Sequence, residues 1–225
     1  VSGLLALGDS FTCGEGVGVY VPLASTWAGV LATALGLEHR SLAVAGSRVR
    51  DVVSGQLPVA GEAAVSTLVV GLNDVARGGF DATAVREGLR TAVHHLADRA
   101  DTVVVGRLHD PSRLLWMPLP LRSLVRRRLE QLNAAVDEAA ELRGVVVVDL
   151  AAVPELRHPA GWAVDRVHPS VTGHRGLARA AAAALGHDLP TAEDVGRAPG
   201  LVRRVAWSTR HGAPYLAGQL IGRWT

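Results

Sequence analysis

Leu4-Leu5-Ala6-Leu7-Gly8-Asp9-Ser10 opens the chain with a short apolar run that breaks at a glycine and passes at once into polar residues. The run has the length of a strand, and the turn follows it directly. The same unit recurs along the chain. Ser41 to Val44 ends near Gly46, and Thr67 to Val70 ends at Gly71. Thr102 to Val105 and Val145 to Leu150 are further strand-sized runs. Longer stretches with helical periodicity lie between them. Ser25 is placed to cap a helix running to Leu35, with Gly36 as its stop. Asp81 to Ala97 puts Val85, Leu89, Val93 and Leu96 on one face. Leu121 to Leu142 and Thr172 to Leu185 complete the set. Apolar strands alternating with helices predict the α/β class: a three-layer α/β/α sandwich around a five-stranded parallel sheet, covered on both faces. Ligands of such a sheet sit beyond the carboxyl ends of its strands.

A chain of 225 residues is long enough to bury a sizeable core in one domain. Residues 1–188 are expected to form it. Pro190, Pro199 and Gly200 mark a linker, and residues 189–225 read as a helical appendage with Trp207, Tyr215, Leu216, Leu220, Ile221 and Trp224 interleaved with arginine. Docking onto the domain, self-association and a membrane-surface role are the readings open to it. The basic residues are all arginine, and the net charge is only +2, which gives no footprint for nucleic acid. No apolar run is long enough to span a bilayer. Val1 to Leu7 lacks a charged leader and a cleavage site, so it reads as a strand and the cytoplasm is the default expectation. Cys13 is the single cysteine, which excludes an intrachain disulfide. The nine histidines show no His-x-x-x-His spacing, so no metal site is expected.

Four places at or soon after strand ends carry chemistry: Gly8-Asp9-Ser10, Gly46, Gly71-Leu72-Asn73-Asp74, and Asp165-Arg166-Val167-His168-Pro169. A serine hydroxyl is a poor nucleophile until a neighbouring base takes its proton. An imidazole does this near neutral pH, and a carboxylate on its other nitrogen fixes the tautomer. Asp165 and His168 are spaced so that one turn of chain presents both. A tetrahedral intermediate also needs donors aimed at its oxyanion, each worth about 2.7–4 kcal/mol. The Ser10 and Gly46 N–H groups and the Asn73 amide are candidates for that role.

These residues resemble the SGNH, or GDSL, hydrolase family. Its Gly-Asp-Ser motif is met by Gly8 to Ser10, its second-block glycine by Gly46, its Gly-x-Asn-Asp by Gly71 to Asp74, and its Asp-x-x-His-Pro by Asp165 to Pro169, in the correct order. Similar Trp- and Arg-bearing tails follow the hydrolase domain in actinobacterial relatives. The resemblance implies a flavodoxin-like fold, a small-molecule ester or thioester substrate and no cofactor. It implies a triad of Ser10, His168 and Asp165, with Ser10, Gly46 and Asn73 forming the oxyanion hole. Hydrolysis is the leading expectation. Acyl transfer by the same triad, and a binding module that has lost catalysis, are the alternatives.

Other residues are read more plainly. Asp9 and Asp74 fit turn and helix-start roles. Cys13 fits a small packed residue. Gly14, Gly16 and Gly18 match no phosphate loop and suggest a loop near the site. Trp116 and Met117, in the segment leaving the fourth strand, and Trp162, just before the Asp165 loop, are candidate substrate-lining residues.

Overall fold

The computed structural model describes residues 3–115, 117–190 and 196–212. Five strands form its main sheet: β1 (Gly3–Gly8), β2 (Glu38–Ser41), β3 (Ala63–Val69), β4 (Ala100–Arg107) and β5 (Val145–Asp149). All neighbours are parallel, in the order β2-β1-β3-β4-β5. The chain runs outward from β1 to one edge, then returns across it to build the other side. The switch between β1 and β3 is where a doubly wound sheet opens a crevice at its carboxyl edge.

Four long helices cover the sheet: α1 (Trp27–Leu35), α2 (Ala82–Ala97), α3 (Leu119–Ala139) and α4 (Val171–Ala184). α1 packs with α4, and α2 with α3, giving one helical layer on each face. Their ends follow from local chemistry. The Thr26 hydroxyl accepts from Gly29 N–H and Gly36 closes α1 in the left-handed region. Asp81 accepts from the N–H groups of Thr83 and Ala84 at the start of α2. All four apolar residues read from the periodicity of α2 are buried. The core joins both layers through the Val and Leu side chains of β1, β3 and β4.

The second strand differs from expectation. It spans Glu38–Ser41, with polar residues alternating between exposed and half-buried, rather than Ser41 to Val44. It is an edge strand paired only with β1, so one side needs no apolar cover. The apolar residues that follow still track β1: Leu42 N–H donates to Ala6 O at 2.8 Å and Val44 N–H to Gly8 O at 3.2 Å. They carry the chain toward the carboxyl edge. A two-stranded antiparallel hairpin, Glu15–Gly16 with Val19–Tyr20, also stands above that edge. After α4, α5 (Leu201–Trp207) continues into a wider turn at Ser208–Gly212. Tyr215, Leu216, Leu220, Ile221 and Trp224 lie outside the described residues.

Candidate active site

Two buried side-chain amides shape the carboxyl edge of the sheet. Gln56 accepts from Gly8 N–H at 2.9 Å and donates to Gly8 O at 2.8 Å, as a neighbouring strand would. Asn133 on α3 does the same for Leu108, just past β4, with both bonds at 2.9 Å. β1 can then end sharply. At Gly8 φ is +140°, and a Cβ there would stand 2.1 Å from Val69 O, so the site accepts only glycine. Ser10 follows in the first turn of a short helix, Ser10–Cys13. Its hydroxyl has no hydrogen-bond partner among the described residues, and its backbone N–H has no acceptor there. The Gly46 N–H likewise has none. Gly46 turns with φ at +81°, and a Cβ there would lie 3.2 Å from the Arg77 guanidinium, which brings positive charge to this loop.

Asn73 lies in the helix Leu72–Ala76 after β3. Its amide donates to Asp9 Oδ2 at 3.2 Å and to Ser47 O at 3.1 Å. The loop around Gly46 and Ser47 is held from two more sides. Asp74 accepts from Val49 N–H at 3.0 Å, and Gln56 reaches Ser47 Oγ at 3.3 Å. Burial pushes the Asp74 carboxyl above the usual carboxylate range.

The Asp165–His168 loop is a closed hairpin-like turn. Ala163 N–H donates to His168 O at 2.8 Å, Ser170 N–H to Gly161 O at 2.9 Å, and Ser170 caps α4. Arg166 sits in the left-handed region with φ at +58°, and is the one non-glycine residue to do so among those described. Asp165 Oδ1 accepts from the N–H groups of Val167 and His168, each at 3.0 Å. Its Oδ2 pairs with His168 Nδ1. One carboxylate thus fixes both the loop and the ring. Because that carboxylate is an acceptor, in the neutral ring Nδ1 carries the proton and Nε2 is left as an acceptor. No hydrogen bond joins His168 to Ser10 among the described residues.

Asp9 does more than a turn residue needs. Its Oδ1 accepts from Phe11 N–H at 2.9 Å, capping the turn that carries Ser10, while Oδ2 holds Asn73. It is 2% exposed. Burial pushes its pKa up to about 6, against the lowering effects of Phe11 N–H, the His168 charge and Asn73. Cys13 is half-buried and its thiol is raised by burial, so it lacks the thiolate character of a nucleophile.

The lining residues fare differently. Trp162 is 1% exposed, and its indole N–H donates to Leu156 O at 2.8 Å. Its ring lies 4.6 Å from His109 and 6.2 Å from Phe11, centre to centre. Trp162 is therefore a packing residue beneath the site and not a substrate wall; the Leu156 carbonyl draws its polar edge inward. Met117 is half-buried and packs on the core. Trp116 lies outside the described residues. Sequence reasoning missed Gln56, which has no motif around it. It also missed the second bond of Asp9, which joins motifs far apart in the chain.

The carboxyl edge thus gathers a hydroxyl, an oriented imidazole, a carboxylate and unpaired N–H donors. Among the described residues no group of three or more His, Cys, Asp or Glu is placed to hold a metal ion, and no helix is long and apolar enough to cross a membrane. The chain is 29% identical over 199 residues to an acetylxylan esterase of Geobacillus stearothermophilus, covering 79% of this chain and 90% of the relative. A solved structure of an acetylxylan esterase from the same organism matches with a TM-score of 0.62 at 24% identity, over 88% of this chain and 97% of that one. An α/β hydrolase enzyme from the metagenome of Lake Arreo, Spain, matches with a TM-score of 0.64 at 24% identity, over 82% and 95%. Residues 6–175 match the model of the GDSL-like lipase/acylhydrolase family. The chain therefore belongs to the GDSL-like lipase/acylhydrolase family and is a carboxylic ester hydrolase.

Proposed function

We propose that the enzyme cleaves short-chain acyl esters through a covalent acyl-enzyme on Ser10. The observation that carries this reading is the Asp165–His168 pair, which engages Nδ1 and leaves Nε2 free on the edge where Ser10 stands unpaired. His168 Nε2 takes the hydroxyl proton as Ser10 Oγ attacks the acyl carbonyl. The carbonyl oxygen becomes an oxyanion, received by Ser10 N–H and Gly46 N–H, with the Asn73 amide as the third donor. Asn73 would turn one hydrogen from its present acceptors, Asp9 or Ser47, toward the new negative charge. The imidazolium then protonates the departing alcohol as the carbon–oxygen bond breaks. A water, deprotonated in turn by His168, attacks the acyl-enzyme and frees the acid and Ser10.

An acetyl ester of a carbohydrate is the substrate class favoured by the likeness to acetylxylan esterase. A short acyl limit is also expected from the small number of aromatic side chains: two Phe, two Tyr and five Trp in the whole chain, with two of the Trp in residues 189–225. Each CH₂ accommodated in an apolar groove would add about 0.8 kcal/mol, so a long groove would show steadily rising kcat/KM with chain length. The decisive test combines fluorophosphonate labelling with a series of p-nitrophenyl esters. Wild type should be labelled and Ser10→Ala should not. Ser10→Ala retaining more than about a tenth of wild-type turnover would refute the assignment, since loss of a triad serine costs far more. An optimum at ten carbons or longer would refute the short-chain reading.

A further inference from the structure

The three alternate glycines at positions 14, 16 and 18 belong to no catalytic motif, yet each is a point of close approach. A Cβ on Gly14 would stand 2.7 Å from Val21 O. One on Gly16 would stand 2.5 Å from both Cε1 and Nδ1 of His168, so the hairpin backbone lies against the imidazole. One on Gly18 would stand 2.7 Å from Cδ2 of His211, in the turn after α5. The hairpin therefore touches the triad histidine with one residue and the C-terminal segment with another. Between them, Val17 O accepts from the Trp207 indole N–H at 2.7 Å, across 190 positions of sequence.

Strands of two residues cannot hold their own geometry. The Glu15–Tyr20 hairpin is closed at its base by Val21 N–H to Gly14 O at 2.8 Å, and its outer end meets α5 and the following turn. We infer that residues 201–212 are a positioning part of the active site: Trp207 anchors the hairpin, and Gly16 in the hairpin holds the His168 ring at the angle proton transfer requires. This rests on His168 being the base, as proposed above. Asp165 fixes the ring at Nδ1, but a single bond leaves it free to tilt about that contact. A surface on the ring face restricts that tilt. Trp207 touches no reacting atom, and Gly16 lies along the ring of His168, where a Cβ would also stand 2.9 Å from Nε2; both act through the placement of that ring.

The test uses the full-length chain carrying Trp207→Phe, Trp207→Ala, Gly16→Ala, or Trp207→Ala with Gly16→Ala. For each, kcat and KM on p-nitrophenyl acetate, the fluorophosphonate inactivation rate and the thermal midpoint are measured. Phe keeps a ring and removes only the donor. A misplacement of about 1 Å in a catalytic group costs up to about 10²-fold. The expected result is a fall of about 10-fold or more in kcat for Trp207→Ala, with Trp207→Phe intermediate and Gly16→Ala the largest. The inactivation rate should fall in parallel, KM should stay near wild type, and the double variant should lose less than the product of the singles. Folded Trp207 variants with wild-type kcat and inactivation rate overturn the inference. A rise in KM alone also overturns it, by making the segment a substrate wall. If Trp207→Ala no longer unfolds cooperatively, Trp207→Phe and Gly16→Ala decide by the same criteria. An active Ser10→Ala control would instead sink the triad reading, whatever the Trp207 variants show.

Discussion

Replacing Asp9 with Asn should make the enzyme more stable at alkaline pH and less stable in acid. Asp9 is 2% exposed, and its folded-state pKa is raised from 3.8 to about 6, chiefly by burial. A carboxyl whose pKa is raised on folding favours the fold when protonated. Its stabilising effect is complete below pH 3.8 and is lost as pH climbs through about 6. A rise of this size costs the ionised protein about 3 kcal/mol at pH 8, roughly half that at pH 5, and little at pH 4. Asn cannot ionise, so it escapes that cost. Its amide can still accept from Phe11 N–H, but the group facing Asn73 becomes a donor and that bond is lost, for about 1 kcal/mol. The net is a gain of about 2 kcal/mol at pH 8, or about 4–8 °C in the thermal midpoint of a chain this size, shrinking through zero and reversing near pH 4–5. Urea or thermal unfolding of both proteins between pH 5 and 8 measures it, because other titrating groups cancel in the difference. A gap that does not change with pH would show that Asp9 titrates as it does in the unfolded chain. A less stable variant at pH 8 would show that its bonds outweigh its burial. The same substitution should lower kcat, since Asn73 loses the acceptor that orients it, so stability and activity move in opposite directions.

Two further outcomes are expected. Asn73→Ala should cut kcat about 10²–10³-fold with little change in KM, because the amide would act on the oxyanion and not on the ground-state carbonyl; an unchanged kcat with raised KM would make it an ordinary substrate contact. His174 is buried, accepts from Trp27 N–H at 3.1 Å, and has its pKa lowered to about 3 by burial. A depressed histidine pKa lends stability above 6.5 that drains away as pH falls toward 3, so His174→Gln should flatten the decline of the thermal midpoint between pH 7 and 5. A decline as steep as in wild type would count against that source.

The elements easiest to read in the sequence are those whose pattern is local. β4, with Thr102 to Val105, and α2, with four buried apolar residues on one stripe, sit within a residue or two of expectation. β2 is harder, because an edge strand can be polar, and the apolar residues after it serve the crossing to the Gly46 loop. Ser10, Asn73, Asp165 and His168 stand out because each motif is short and contiguous. Gln56 and the second bond of Asp9 do not, because their partners lie 48 and 64 positions away and no spacing rule connects them. The Trp162 indole illustrates the opposite error: an aromatic beside a catalytic loop suggests a wall, whereas the Leu156 carbonyl turns it into the interior. The glycines of the hairpin were visible but mute, since close approach leaves no trace beyond the missing side chain.

The order in which the sheet is laid down bears on how the enzyme is born. β1 and β2 are translated before the other strands of the sheet, and β3, β4 and β5 follow in the order in which they line up on one side of β1. Ser10 is therefore synthesised long before the base proposed to activate it. The imidazole that would do so is translated only after β5, and α4 must still close onto α1, where Trp27 meets a His174 some 147 positions later. Contacts this distant are slow to form and wait on the whole domain. On the mechanism proposed above, chains interrupted before His168 carry the serine without the histidine that would deprotonate it, so such products should be inert toward esters. Ester-cleaving activity should accordingly report that translation has passed His168 and that α4 has closed onto α1, and its appearance in a synchronised cell-free synthesis should lag behind reactivity that depends only on the residues before β3.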